Sequence, residues 1–174
     1  MSQPFDDVPP PETDREVLSW ELFGDASRAL AQQIVDSGWA PDVVVAIARG
    51  GLIPAGAVAY ALGVKAMAST NVEFYTGIAE VLTEPVFLPP LMDVNSLAGK
   101  KVLVVDDVTD SGRTLQKVLQ ELRDEFGNHA VGEARSAVLY HKPWAVLEPE
   151  YVWRNTARWI TFPWSALPPV LPTN

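Results

Sequence analysis

The alternation of short apolar runs with segments of helical periodicity constrains the fold of this 174-residue chain most strongly. Residues 42–48 and 101–106 form continuous runs rich in valine, which is typical of strands covered on both faces. Weaker runs at 64–70 and 134–140 predict two further strands, and apolar side chains near the helical period predict helices over 25–36, 53–62 and 114–126. This order predicts an α/β fold with a central, mainly parallel sheet and helices on both faces.

The two ends of the chain differ in composition from its middle. Residues 1–14 hold four prolines and four acidic residues, and 163–174 hold four more prolines. We therefore expect a flexible leader over 1–14. Neither a repeat nor a linker divides the rest, so residues 15–174 are predicted to form a single domain.

Charge and composition exclude several classes of protein. The net charge of −9 disfavours nonspecific contact with nucleic acid or anionic membranes, because the long-range field has the wrong sign. The chain has no cysteine and two histidines, so Cys-zinc sites, disulfides and thiol nucleophiles are excluded. No apolar run approaches the roughly 20 residues that span a bilayer. We expect a cytoplasmic protein with neither nucleic acid nor membrane as a partner.

Two acidic residues and a segment of small polar residues follow the strand at 101–106. In parallel sheets ligands bind at the carboxyl ends of the strands, and here two carboxylates, Asp106 and Asp107, lie at such an end. The small and hydroxyl residues at 110–114 then open a helix, where backbone N–H groups can bind an anion. Paired carboxylates would repel phosphate, but they can accept hydrogen bonds from sugar hydroxyls or help to hold Mg²⁺. Together these features indicate a ribose phosphate ligand.

Two other interpretations of this segment were weighed. It could be an ordinary turn with Asp110 or Ser111 as helix N-cap, but six polar or glycine residues exceed what a cap requires. A phosphoacceptor receiver domain also has an acidic pair, placed after the first of five strands. The chain after Asp106 is too short for four more units of about 30 residues each. The motifs GxxxxGK[ST] and GxGxxG are absent.

The segment VLVVDDVTDSGRTL at 102–115 resembles the phosphoribosyl diphosphate (PRPP) binding signature of the type I phosphoribosyltransferases. The resemblance implies that Asp106 and Asp107 bind the ribose hydroxyls, and that Asp110 is the catalytic acid or base near the purine N7. The 5′-phosphate would be held by Thr109, Asp110, Ser111, Gly112, Arg113 and Thr114.

A second loop, Arg49-Gly50-Gly51, follows the strand at 42–48. Taken alone it indicates a tight turn with a solvated arginine. Beside the first motif it is similar to the diphosphate loop of the same family. The resemblance implies that Arg49 and Gly50 bind the leaving diphosphate, and that the peptide bond between Ala48 and Arg49 is cis.

Residues near the C-terminus resemble those of the small bacterial xanthine-guanine and hypoxanthine-guanine phosphoribosyltransferases. Taken singly, Lys142 would be a surface lysine and Trp159 a core aromatic residue. The resemblance implies instead that Lys142 binds the purine O6 and that Trp159 and Ile160 stack on and bracket the base. For Trp164 we expect a structural role.

As a whole, the resemblance implies transfer of the 5-phosphoribosyl group from PRPP to N9 of a 6-oxopurine in purine salvage. Mg²⁺ would be held mainly by PRPP and water, assisted by Asp106 or Asp107, because Ala157 replaces an acidic residue that often helps with metal. The family further implies a hood from 15–24 and 141–166, a mobile loop at 72–98, and a homodimer or homotetramer. Two alternatives stay open: transfer to another base, and a non-catalytic, PRPP-sensing regulator.

Overall fold

The computed structural model describes residues 14–75, 81–88, 97–124 and 131–172, with the backbone only for 73–75, 81–88 and 124. In these ranges the chain forms eight strands and three helices. In chain order they are β1 (Arg15–Val17), α1 (Trp20–Asp36), β2 (Val43–Ala48), α2 (Leu52–Leu62), β3 (Met67–Tyr75), β4 (Val81–Leu88), β5 (Lys101–Thr109), α3 (Arg113–Asp124), β6 (Glu133–His141), β7 (Tyr151–Asn155) and β8 (Trp159–Thr161).

The larger sheet has the strand order β4-β3-β2-β5-β6-β7. All neighbouring pairs are parallel except β3 and β4. From β2 the chain passes to β3 on one side, whereas β5, β6 and β7 follow on the other. The direction of winding thus changes between β2 and β5, and ligands in such sheets bind at the carboxyl ends of the strands beside that point. The loops after β2 and β5 are therefore placed together.

Helices cover both faces of the sheet, as predicted. Helix α1 begins after Ser19, whose hydroxyl accepts a hydrogen bond from the Leu22 N–H at 3.1 Å. It packs with α2 against one face, in a cluster that includes Leu30, Val58 and Leu103. Helix α3 packs Val118 and other apolar residues on the opposite face. The predicted α/β architecture is thereby confirmed.

A second, two-stranded parallel sheet joins the beginning of the domain to its end. Strand β1 pairs with β8, with Arg15 opposite Trp159 and Val17 opposite Thr161. The Leu18 N–H continues the ladder by donating to the Thr161 carbonyl at 3.0 Å. This confirms a small hood built from the two terminal segments.

Two expectations fall partly outside the described residues. The leader predicted at 1–14 lies outside them except for Asp14. The segment 72–98, expected to be a mobile loop, contains the end of β3 and all of β4, whereas 76–80 and 89–96 lie outside the description. Its mobility stays a prediction. No helix among the described residues is long and apolar enough to span a membrane.

Candidate active site

The loops after β2 and β5 touch each other at the carboxyl edge of the sheet. A Cβ atom on Gly51 would lie 2.5 Å from the carbonyl oxygens of both Ile47 and Val105. A Cβ on Gly50 would overlap the carboxylate of Asp107. Only glycine therefore fits at these two positions without a shift of its neighbours. The peptide bond between Ala48 and Arg49 is cis, which confirms the expectation for this loop.

The acidic pair at the end of β5 is half-buried and close together. Burial raises the pKa of Asp106 well above its ordinary value, and the negative charge of Asp107 raises it further. Burial also raises the pKa of Asp107, although a side-chain hydrogen bond from Asp106 opposes that shift. Two carboxyls this close at a half-buried position suit hydroxyl donors or a cation as partners.

Trp164 links the C-terminal segment to this pair. Its ring stacks on Phe162 at 4.9 Å and meets Phe23 of α1 edge-on at 5.3 Å. These contacts agree with the expected structural role. Trp164 also lines a cavity together with Asp107, and it lowers the pKa of Asp107 against the larger, opposite effect of burial.

A small cavity of about 100 Å³ lies between the end of β5 and the start of α3. The hydroxyl oxygen Oγ1 of Thr109 is buried and has no hydrogen-bond partner among the described residues, and such a group calls for a ligand or water. Gly112 adopts a φ of 79°, in the region that favours glycine. The exposed side chain of Arg113 is not part of the lining. The cavity is lined by Asp106, Val108, Thr109, Asp110, Ser111, Gly112, Thr114 and Leu115.

A larger cavity of about 340 Å³ brings together all four residues predicted at the purine end, Asp110, Lys142, Trp159 and Ile160. Its volume falls in the range of small-molecule sites. Trp159 is 54% exposed and so is not a core residue. Lys142, by contrast, is only 6% exposed, and its Nζ donates to the Arg158 carbonyl. Burial lowers the pKa of Lys142, against the opposing effect of Asp110.

A third cavity, of about 810 Å³, lies beside the loop that follows β2. It is lined by Arg49, Gly50, Asp107 and Trp164 together with part of the C-terminal segment. Ser165 lines both the 810 Å³ cavity and the 340 Å³ cavity beside Lys142. Val108 and Asp110 line both the 340 Å³ cavity and the 100 Å³ cavity at the start of α3. The three cavities therefore adjoin along one edge of the sheet. Together they have room for a ligand with two phosphate-bearing ends and a flat third group.

Sequence reasoning missed three residues of this edge. Arg15 of β1 lines the cavity beside Lys142, and Trp144 donates its indole N–H to Asp110 Oδ1 at 3.1 Å. The third is Trp164, which lines a cavity together with Asp107. Arg15 reaches the site through the pairing of β1 with β8, and Trp144, two residues after Lys142, reaches Asp110 through the packing of its turn.

The described residues contain no group of three or more His, Cys, Asp or Glu side chains that could hold a metal ion. Asp106 and Asp107 could supply one or two carboxylate ligands. Mg²⁺ is commonly bound by one or two carboxylates with substrate phosphates and water. The pair fits such a shared site, because the two carboxylates are adjacent at the end of β5 and only half-buried, so substrate and water can supply the other ligands.

Known proteins of similar sequence and fold exist. A curated relative, the xanthine-guanine phosphoribosyltransferase of Gluconobacter oxydans (strain 621H), is 29% identical over 89% of this chain and 87% of its own. The crystal structure of a purine phosphoribosyltransferase from Pyrococcus horikoshii Ot3 has a TM-score of 0.74 and 36% identity, covering 91% of this chain and 99% of that one. A hypothetical protein from Neisseria gonorrhoeae, solved with bound ppGpp, has a TM-score of 0.70 and 27% identity, covering 88% and 90%.

The family profile called "Phosphoribosyl transferase domain" matches residues 14–168, which is most of the chain. That range contains both loops at the carboxyl edge, the hood strands and the residues around Lys142. The chain therefore belongs to the phosphoribosyltransferase family.

Proposed function

We propose that this protein transfers the 5-phosphoribosyl group of PRPP to N9 of a 6-oxopurine, releasing diphosphate and a purine nucleoside monophosphate in purine salvage. The observation that carries the proposal is the cavity in which Asp110, Lys142, Trp159 and Ile160 meet, directly beside the phosphate-sized cavity at the start of α3. A cytoplasmic setting and a homodimer or homotetramer stay predictions.

The donor half of the reaction uses the two loops that follow β2 and β5. The 5′-phosphate would bind the cavity at 109–114, where the free Thr109 hydroxyl and the N–H groups at the start of α3 can donate to it. The ribose hydroxyls would donate to Asp106 and Asp107. The diphosphate would lie against Arg49 and Gly50, where a fixed positive charge stabilises the leaving group.

Phosphoribosyltransferases typically use Mg²⁺ together with PRPP. When bound, the ion would neutralise negative charge on the leaving diphosphate. Asp106 and Asp107 are the residues that would help to hold it, with PRPP and water providing the remaining ligands.

The acceptor half uses the cavity under the hood. An ammonium group has three donors, and Lys142 uses one of them on the Arg158 carbonyl. A remaining donor would bind the purine O6. The exposed indole of Trp159 would stack on the ring, and the buried Ile160 would bracket it.

In the chemical step the bond between ribose C1′ and the diphosphate oxygen breaks, and a bond from C1′ to N9 of the base forms. Positive charge develops on the ribose ring as the diphosphate leaves. Asp110 lines both the cavity beside Lys142 and the small cavity at the start of α3. Its carboxylate is therefore placed to accept the proton that the purine loses when N9 bonds to C1′. Proton transfer of this kind contributes typically 10²- to 10⁴-fold.

The relatives support a purine as the acceptor. The proteins from Gluconobacter oxydans and Pyrococcus horikoshii are named for xanthine-guanine and purine transfer. The Neisseria gonorrhoeae protein was solved with a phosphorylated guanosine. Guanine and its 6-oxo relatives are therefore the first bases to test.

Steady-state turnover with PRPP and Mg²⁺ tests the proposal, with guanine, hypoxanthine, xanthine, adenine, orotate and uracil compared in parallel. We expect turnover with at least one 6-oxopurine and none with the other three bases. Asp110→Asn should lower kcat by about 10²-fold or more while PRPP binding persists. The control is Asp36→Asn, an exposed carboxylate at the far end of α1. Turnover only with orotate, uracil or adenine contradicts the proposal, and PRPP binding without any turnover favours the regulator.

A further inference from the structure

Trp144 contacts the two residues that handle the base in the proposed reaction. Its indole Nε1–H donates to Asp110 Oδ1 at 3.1 Å. Its ring also lies beneath the Lys142 ammonium, with Nζ 5.5 Å from the ring centroid. The two contacts use different parts of the side chain, because the N–H projects from the ring edge and the cation lies over the ring face.

The segment that carries Trp144 is fixed to the loop between β5 and α3 by backbone hydrogen bonds. The Lys142 N–H donates to the Thr109 carbonyl at 3.0 Å, and the Val146 N–H donates to the Ser111 carbonyl at 2.9 Å. A Cβ on Gly112 would lie 3.0 Å from the Leu147 nitrogen, so the two segments pack tightly. Trp144 is thus anchored on both sides along the chain, although its side chain is 57% exposed.

Asp110 itself is exposed. An exposed carboxylate exchanges among several rotamers unless a partner holds one of them. An indole N–H can only donate, so Trp144 cannot compete with Asp110 for the proton of the base. A bond to Oδ1 also leaves Oδ2 available to the substrate.

We propose that Trp144 is a positioning residue, which holds the Asp110 carboxylate toward the purine in the Lys142 cavity. This inference rests on the proposed function. It assigns to Trp144 a role in the chemical step and none in the binding of either substrate.

Trp144→Phe separates the two contacts, because it removes the N–H and keeps a ring face for Lys142. We expect kcat to fall about tenfold, since a small misplacement of a reacting group is enough for such a loss. The KM values for PRPP and for the base should change less than about twofold. In an Asp110→Asn background the same substitution should cause little further loss, as expected of two residues that act as a unit.

Trp39→Phe is the matched control. The Trp39 indole also donates to a carboxylate, Glu133 Oε2 at 2.8 Å, but at the amino edge of the sheet. Its loss should leave kcat unchanged. An active enzyme with an unchanged kcat in Trp144→Phe overturns the positioning role, and so does an equal loss in the Asp110→Asn background. A wild-type protein without turnover refutes the proposed function instead.

A measurement without substrate examines the contact itself. In a ¹H–¹⁵N spectrum the indole resonance of Trp144, assigned by its absence in Trp144→Phe, should move upfield in Asp110→Ala as the hydrogen bond is lost. It should stay in place in Asp36→Asn. An unmoved resonance in Asp110→Ala overturns the inference whatever the kinetics show.

Discussion

Gly50→Ala tests the contact between the two loops of the donor site most sharply. The new Cβ would lie 2.5 Å from Asp107 Cγ and 2.7 Å from its Oδ1, and closer still to Oδ2. The carboxylate is the movable end of a side chain, so it must turn away from its present position. Loss of a hydrogen bond to a charged group costs about 1.5–3 kcal/mol. We therefore expect the Kd for PRPP with Mg²⁺ to rise about 10- to 100-fold, as measured by isothermal titration calorimetry.

Stability separates this effect from general damage. Gly51→Ala places its Cβ against two main-chain carbonyl oxygens, which cannot turn aside. It should cost about 1–3 kcal/mol in the free energy of unfolding or more. The Cβ of Gly56→Ala in α2 meets no atom of the described residues within 4 Å, and this substitution should stabilise the fold by about 0.5–1 kcal/mol. Gly50→Ala should change the Tm by less than about 3 °C. If Gly50→Ala keeps wild-type PRPP affinity, Asp107 does not bind the donor as proposed.

Two further substitutions follow from the site. Folding raises the pKa of Asp106 from 3.8, so the folded state binds its proton more tightly and stability falls as pH rises through the interval between the two values. Asp106→Asn should therefore raise the Tm at neutral pH, by about 3 °C for about 1 kcal/mol, but not below pH 3.8. Calorimetry at neutral pH and below pH 3.8 checks this, and an equal rise in Tm under both conditions would contradict it. Lys142→Met should raise the KM for the 6-oxopurine about 10-fold or more by removing a charged donor, whereas the exposed Lys65→Met should not; equal KM values for the two variants in steady-state kinetics would refute the role of Lys142.

Much of the fold could be predicted because it is encoded locally. The valine-rich run of β5 and the amphipathic period of α3 are patterns within about ten residues. Both elements form there, although β5 continues past the predicted end at 106 to Thr109 and α3 begins at Arg113. Short strands such as β1 and β8 lack such a pattern. They exist because residues 15–17 and 159–161 pair with each other across nearly the whole chain, and a local sequence pattern carries no information about that pairing.

The same division applies to the site. Asp106, Asp107 and the residues at 109–114 are contiguous in sequence, so a motif could indicate them. Trp144 and Trp164 reach Asp110 and Asp107 only through tertiary packing. The exposure of Trp159 also depends on the hood, where pairing of β8 with β1 buries Ile160 and leaves its neighbour at the cavity.

A crystal structure with Mg²⁺, PRPP and a 6-oxopurine analogue that has carbon in place of N9 would test the proposed reaction. We expect the 5′-phosphate at 109–114, the ribose hydroxyls at Asp106 and Asp107, and the diphosphate at Arg49 and Gly50. The analogue should stack on Trp159, with its O6 at Lys142 Nζ. PRPP bound away from the carboxyl ends of β2 and β5, or an analogue outside the Lys142 cavity, would contradict it.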